Sequence, residues 1–160
     1  MKLLVFSDSH GNPSPMREAI LRNPDADCIL YLGDGIRDLA DLDGTPTIPV
    51  IAVRGNCDTS FDGYSTEEAV TFEGVRILLT HGHLYGVKGG QGGLFAHAKR
   101  SGYQIALFGH THIPHESYDS ETGIYLFNPG SIGKRDAGAY SFGIITLQSQ
   151  SVLLSHGKVQ

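Results

Sequence analysis

The chain has 160 residues, 40% of them hydrophobic and 18% charged, the make-up of one domain (1–160) with a sizeable core. A net charge of −5 argues against a nucleic-acid surface or a polybasic membrane patch, although bound cations would invert the local sign of a site. Two cysteines imply no disulfide framework, and no apolar run reaches membrane-spanning length, so a soluble, cytoplasmic protein is expected.

Along the chain, KLLVF (residues 2–6) is a short apolar run that ends in the polar turn SDSHGN, as a strand feeding a loop would. PSPMREAILRNP places Met16, Ala19 and Ile20 near one helical face, with proline at its start and Pro24 closing it. DCILYLG reads as a second buried strand, ending in Gly33-Asp34-Gly35, and IRDLADL as a short helical piece. IPVIAV reads as a third buried strand, ending in GNCD (residues 55–58). This β-α-β-α-β alternation predicts a mostly parallel sheet covered on both faces.

The middle is different. EEAVTF and VRILLT form a hairpin about Glu73-Gly74, and the second arm runs into HGHLYG. A glycine-rich loop, GVKGGQGG, precedes a helix, LFAHAKRS, with Gly102 as its C-cap. YQIALFG is another buried strand and ends in HTHIP. HESYD, IYLFNPGS, AYSFGIITLQ and SVLLSHGK make an all-β tail, so the fold class is α/β with an antiparallel addition.

Five strands therefore end in groups that can bind metal: Asp8 and His10, Asp34, Asn56, His81, and His110 with His112. Each motif alone is as readily a turn. Five in succession, each closing an apolar strand, point to one crevice outside the strands' carboxyl ends. Imidazole, carboxylate and one amide suit Mn²⁺, Fe, Zn²⁺, Ni²⁺ or Co²⁺ better than Ca²⁺. Seven donors exceed one tetrahedral centre but serve two ions about 3.5–4 Å apart that share a carboxylate.

In this order, D-x-H, G-D, G-N-x-D, H-G-H and G-H-T-H resemble the calcineurin-like metallophosphoesterases. GNCD, THGHLYGVK and NPGS resemble their small prokaryotic branch, the YfcE-type phosphodiesterases. The resemblance implies two packed, mainly mixed β-sheets flanked by helices, a four-layer αββα sandwich. It assigns Asp8, His10 and His112 to one divalent ion and Asn56, His81 and His110 to a second, with Asp34 bridging and Mn²⁺ the leading metal. Asp34, Asn56 and His81 are then the catalytic core, a metal-bridging hydroxide the nucleophile, and a small phosphodiester the substrate. Lys88 and Arg54 are candidates for the substrate phosphate, and Tyr85 for the pocket wall.

At position 57 relatives of the phosphomonoesterase type carry histidine, which protonates the leaving oxygen. Cys57 is a poor substitute and is expected to be a half-buried packing residue, leaving Asp58 free for another donor. His83 is expected to support the turn, NPGS to pack near the site, and His97, His115 and His156 to lie on helix or surface. Two rival functions stand beside the phosphodiesterase: a phosphomonoesterase or nucleotidase, and a protein-binding scaffold like the vacuolar sorting protein 29 relatives. The C-terminal strands would permit a homo-oligomer.

Overall fold

The computed structural model describes residues 1–149 and 151–160. Ten strands form two five-stranded mixed sheets. The first sheet contains β1 (Lys2–Phe6), β2 (Cys28–Tyr31), β3 (Val50–Ala52), β9 (Tyr140–Gln148) and β10 (Ser151–Val159), in the order β10-β9-β1-β2-β3. The second contains β4 (Glu67–Phe72), β5 (Val75–Thr80), β6 (Ile105–Leu107), β7 (His115–Asp119) and β8 (Ile124–Asn128), in the order β4-β5-β6-β8-β7. Within the sheets β1, β2 and β3 run parallel, as do β5, β6 and β8. Antiparallel β9, β4 and β7 are joined by hairpin pairings to their neighbours or to the sheet centre.

Side-chain alternation explains the layers. On β1, Leu3 and Val5 face the second sheet and pack with Leu30, Ile77, Leu79, Leu107 and Phe127. Leu4 and Phe6 point the other way, onto Met16, Ala19 and Ile20 of helix α1 (Ser14–Leu21). On the second sheet's outer face, Leu78, Ala106 and Leu126 meet Leu94 and Ala98 of helix α2 (Gly92–Ser101). The order is therefore helix, sheet, sheet, helix, as the family resemblance implied. Because β1, β2, β5 and β6 are covered on both faces, they read as continuous apolar runs.

The third strand corrects the sequence reading. IPVIAV was expected to be buried on both faces, yet β3 spans only Val50–Ala52 and forms the sheet edge, with Val50 exposed. Apolar composition did not distinguish a central strand from an edge one. IRDLADL forms a 3₁₀ segment, Ile36–Asp41. The Glu73-Gly74 hairpin has positive φ at both central residues, +51° and +80°, as a tight two-residue turn requires. Gly102 caps α2 in the left-handed region (φ +71°), accepting the role its position predicted.

Candidate metal centre

The carboxyl ends of β1 and β2 and those of β5 and β6 open toward one another where the two sheets pack. His110 N–H donates to Asp8 Oδ2 (3.1 Å) and Gly109 N–H to His81 O (3.1 Å), which ties the loops of both sheets together. Six of the seven expected donors gather here in two sets, Asp8, His10 and His112, and Asp34, His81 and His110, with ligand atoms within 4.8 Å in each set.

In both carboxylates one oxygen is held and the other is turned into the cluster. Asp8 Oδ2 accepts from Ser7 Oγ (2.5 Å) as well as from His110 N–H. Asp8 Oδ1 is buried without a hydrogen bond, 3.1 Å from His112 Nε2, 3.6 Å from His10 Nε2 and 3.9 Å from His81 Nε2. Asp34 Oδ1 accepts from Cys57 N–H (2.8 Å), while Oδ2 lies 3.3 Å from His81 Nε2 and 4.0 Å from His10 Nε2. His81 is fully buried; its Nδ1–H donates to Leu32 O (2.8 Å), so Nε2 presents its lone pair to the cluster and is also unpartnered.

Two unpartnered polar atoms at the centre of a buried cluster are costly unless something satisfies them. A divalent cation fits: donors about 2.0–2.2 Å from one ion stand about 3 Å or more from one another. The donor set is N/O and borderline, as for first-row transition metals. Without a cation, burial would raise the Asp8 carboxyl, but His10, His112 and His81 hold it well below the usual range. Burial likewise opposes ionisation of Asp34, yet His81 and the Cys57 N–H bring it down to about 2. His81 is raised, the pull of Asp34 and Asp8 outweighing its burial. His110 is lowered by burial and by the charges of His81 and Lys88.

The backbone shows the same concentration. Asp8, His10, Asp34, His110 and His112 all have left-handed φ, between +48° and +67°. A non-glycine residue there is uncommon, and such strain gathers at functional sites because the surroundings over-determine it. The adjoining glycines explain the G-D, G-N and G-H pairs. A Cβ on Gly55 would stand 2.1 Å from Asp34 Oδ1, and one on Gly109 would stand 1.9 Å from Ser7 Oγ.

The remaining expectations divide. Asn56 is exposed on the Gly55–Asp58 turn, its Nδ2 donating to Cys57 Sγ at 3.4 Å. Cys57 is not a packing residue: it is exposed, with its thiol within 4.8 Å of His10 and Asp34 donor atoms. Burial and the neighbouring carboxylates of Asp34, Asp58 and Asp8 push that thiol up, so it carries a proton at neutral pH. Lys88 is exposed and lines a cavity beside the His110–His112 turn. Arg54 is paired with Asp62 (2.7 Å), and Tyr85 donates its hydroxyl to Glu67 while its ring packs on His97. His83 is half-buried, its ring 5.5 Å from that of His81. His156, expected on helix or surface, lies on β10, stacks on Phe127 and bonds Asn128 O (2.8 Å).

Asp58, Asp38, Asn128 and Ser131 support the donors; Asp58 was expected to serve another donor and NPGS to pack near the site, whereas Asp38 escaped sequence reading. Asp58 is buried and accepts from four backbone N–H groups: Asp34 (2.7 Å), Gly35 (2.9 Å), Ile36 (3.0 Å) and Gly55 (2.8 Å). Asp38 accepts from Ser9 Oγ (2.5 Å) and Gly11 N–H (2.8 Å), fixing the loop between Asp8 and His10. Asn128 Nδ2 donates to Gly109 O (2.9 Å) and Thr111 Oγ1 (3.0 Å), and Ser131 Oγ donates to Asp8 O (2.8 Å). NPGS thus braces both halves of the centre. A cavity of about 420 Å³, lined by Ile29 and by residues between Leu39 and Val50, contains none of the expected donors.

The two packed mixed sheets, with donors clustered at their joined ends, are those of a metal-binding domain. Residues 1–150 match the calcineurin-like phosphoesterase superfamily domain, and the chain belongs to that family. It is 31% identical to the probable metallophosphoesterase YsnB of Bacillus subtilis, covering 94% of this chain and 87% of that protein. It is also 31% identical to the phosphodiesterase YfcE of Escherichia coli, with 96% of each covered. Among solved structures, a predicted phosphoesterase from Streptococcus pneumoniae shares the fold (TM-score 0.80, 24% identity, 98% and 88% coverage). So does Vps29 of Entamoeba histolytica complexed with zinc (TM-score 0.78, 22% identity, 99% of each chain). The chain is a metallophosphoesterase-family protein, and the family implies divalent metal ions.

Proposed function

We propose that this protein is a cytoplasmic, dinuclear metal-dependent phosphodiesterase acting on small phosphodiesters. The observation that carries the reading is the pair of donor sets meeting at the buried, unpartnered Asp8 Oδ1 and His81 Nε2. Asp8, His10 and His112 would hold one ion, Asn56, His81 and His110 the other, and Asp34 both; Mn²⁺ leads the candidates, ahead of Fe, Zn²⁺, Ni²⁺ and Co²⁺. When bound, such ions supply Lewis acidity toward a phosphoryl oxygen and lower the pKa of water.

The chain's own residues do the positioning. The Leu32 carbonyl keeps the proton on His81 Nδ1 and leaves Nε2 as a ligand. Asp58, through the backbone it gathers, aims Asp34. Asn56, exposed on the Gly55–Asp58 turn, would add a neutral donor that preserves the centre's positive field for an anion. Lys88 lines a cavity that includes Thr111 and adds positive field for an anionic substrate. At position 57 a thiol replaces a proton-donating imidazole, so diesters and activated aryl esters are favoured over alkyl monoesters.

The likeness to Vps29, of which one solved structure is complexed with zinc, also fits a protein-binding scaffold, and metal-dependent turnover separates the two readings. Metal stoichiometry tests the reading. After EDTA treatment, calorimetric titration with Mn²⁺ should show two ions per chain, and Asp34→Asn should weaken both. One ion per chain, or an unaltered titration of the variant, would contradict it.

A further inference from the structure

Two cavities flank the centre, and they differ. One, about 230 Å³, is lined by His10, Asp34, Cys57 and the exposed guanidinium of Arg37. The other, about 370 Å³, begins at Thr111, between His110 and His112, and is walled by Val87, Ile113, Lys88, Gln91 and His115. Its volume lies in the range of small-molecule sites, which combine apolar walls with a few convergent polar groups. Ile113 is 64% exposed, an aliphatic side chain left open beside a polar centre, whereas Val87 beneath is buried. The wall is built: Asn128 holds Thr111 Oγ1, which in turn accepts from Ile113 N–H (3.3 Å).

Lys88 is the cation of this cavity and belongs to no ion pair among the described residues. A phosphodiester has two ester arms, and a cavity that begins between His110 and His112 has room for one of them. The larger cavity offers aliphatic surface for a ring and one ammonium for a negative charge.

We propose that the cavity formed by Val87, Ile113 and Lys88 is a specificity pocket for one ester arm, an aromatic group that carries an anion. The inference rests on the phosphodiesterase reading and narrows its substrate class.

The test uses three diesters that share p-nitrophenolate as the leaving group and differ in the retained arm: methyl, phenyl or 4-carboxyphenyl. In each, the P–O bond to p-nitrophenolate breaks and a water oxygen joins phosphorus. The products are p-nitrophenolate, the monoester of the retained arm, and a proton released to solvent. With Mn²⁺ present, kcat/KM should rise from methyl to phenyl to 4-carboxyphenyl. Lys88→Met should lower the carboxyphenyl-to-phenyl ratio about fivefold, as expected for a solvent-screened charge pair, and leave the phenyl-to-methyl ratio intact. Ile113→Ser should lower the phenyl-to-methyl ratio about tenfold through KM. Both side chains are exposed, so neither substitution threatens the core. Turnover of all three esters with ratios unchanged in both variants overturns the pocket and leaves the phosphodiesterase reading standing. Rejection of all three by the metal-loaded wild type overturns that reading, and the pocket with it.

Discussion

Asp58 accepts four backbone N–H groups from two loops that meet at the candidate metal centre, yet lies outside both donor sets. Its replacement by alanine leaves four buried donors short of an acceptor and should cost about 3 kcal/mol in thermal or denaturant unfolding. Because Asp34 sits on one of those loops, Mn²⁺ affinity should fall as well, about 10–100-fold by calorimetry. Unchanged affinity in a folded Asp58→Ala protein would show that the loop keeps its shape without the staple. Cys57 stands in a third donor group with His10 and Asp34, and a substitution there tests its proposed bearing on substrate. Its thiol is exposed and protonated, facing His10 and Asp34. Cys57→His restores an imidazole acid and should raise kcat/KM for an alkyl monoester about tenfold or more, with little gain on p-nitrophenyl esters whose leaving group needs no proton. Equal gains on both would remove the proton-donor explanation.

At the scale of elements, the centre depends on how closely the strand-end loops approach. A Cβ on Gly55 would fall 2.7 Å from the Asp34 backbone nitrogen and 2.1 Å from Oδ1. Gly55→Ala should therefore destabilise the fold by about 1–3 kcal/mol and displace Asp34, reducing metal affinity and turnover together. A variant with normal stability and affinity would contradict the close approach. These loops also show where sequence was informative. Asp8, His10, Asp34, His81, His110 and His112 stood out because each closes a run of apolar residues, and burial on both faces writes itself as such a run. Asp38 was silent, and Asp58 and Asn128 were placed near the site without their partners, because those partners are backbone amides, hydroxyls and carbonyls brought near by topology, which no side-chain pattern encodes. The edge position of β3 was hidden for a similar reason, since IPVIAV reads the same whether or not another strand follows it in the sheet. Cys57 was misjudged because composition makes free cysteine a packing residue, while the turn at Gly55 exposes it.

For the molecule as a whole, metal and proton compete for the same atoms. In the metal-free protein His81 is raised above its ordinary 6.5, so it lends stability that is complete below 6.5 and lost as pH rises through the folded value. Asp34, lowered from 3.8 to about 2, lends stability that is present above 3.8 and lost as pH falls toward 2. EDTA-treated protein should accordingly show its highest Tm between about pH 4 and 6.5 and a declining Tm toward pH 8.5. With Mn²⁺ present the slope above pH 6 should reverse, because the ion must displace the His81 proton. Parallel calorimetric scans check this, and identical slopes with and without metal would contradict it. No helix among the described residues is long and apolar enough to cross a membrane. The proposed metal-dependent phosphodiesterase centre is tested by hydrolysis of paired p-nitrophenyl mono- and diesters after EDTA treatment, with single metals restored. Turnover should vanish without metal and return with the diester favoured, Mn²⁺ foremost; failure of every metal to restore diester hydrolysis would overturn the proposal.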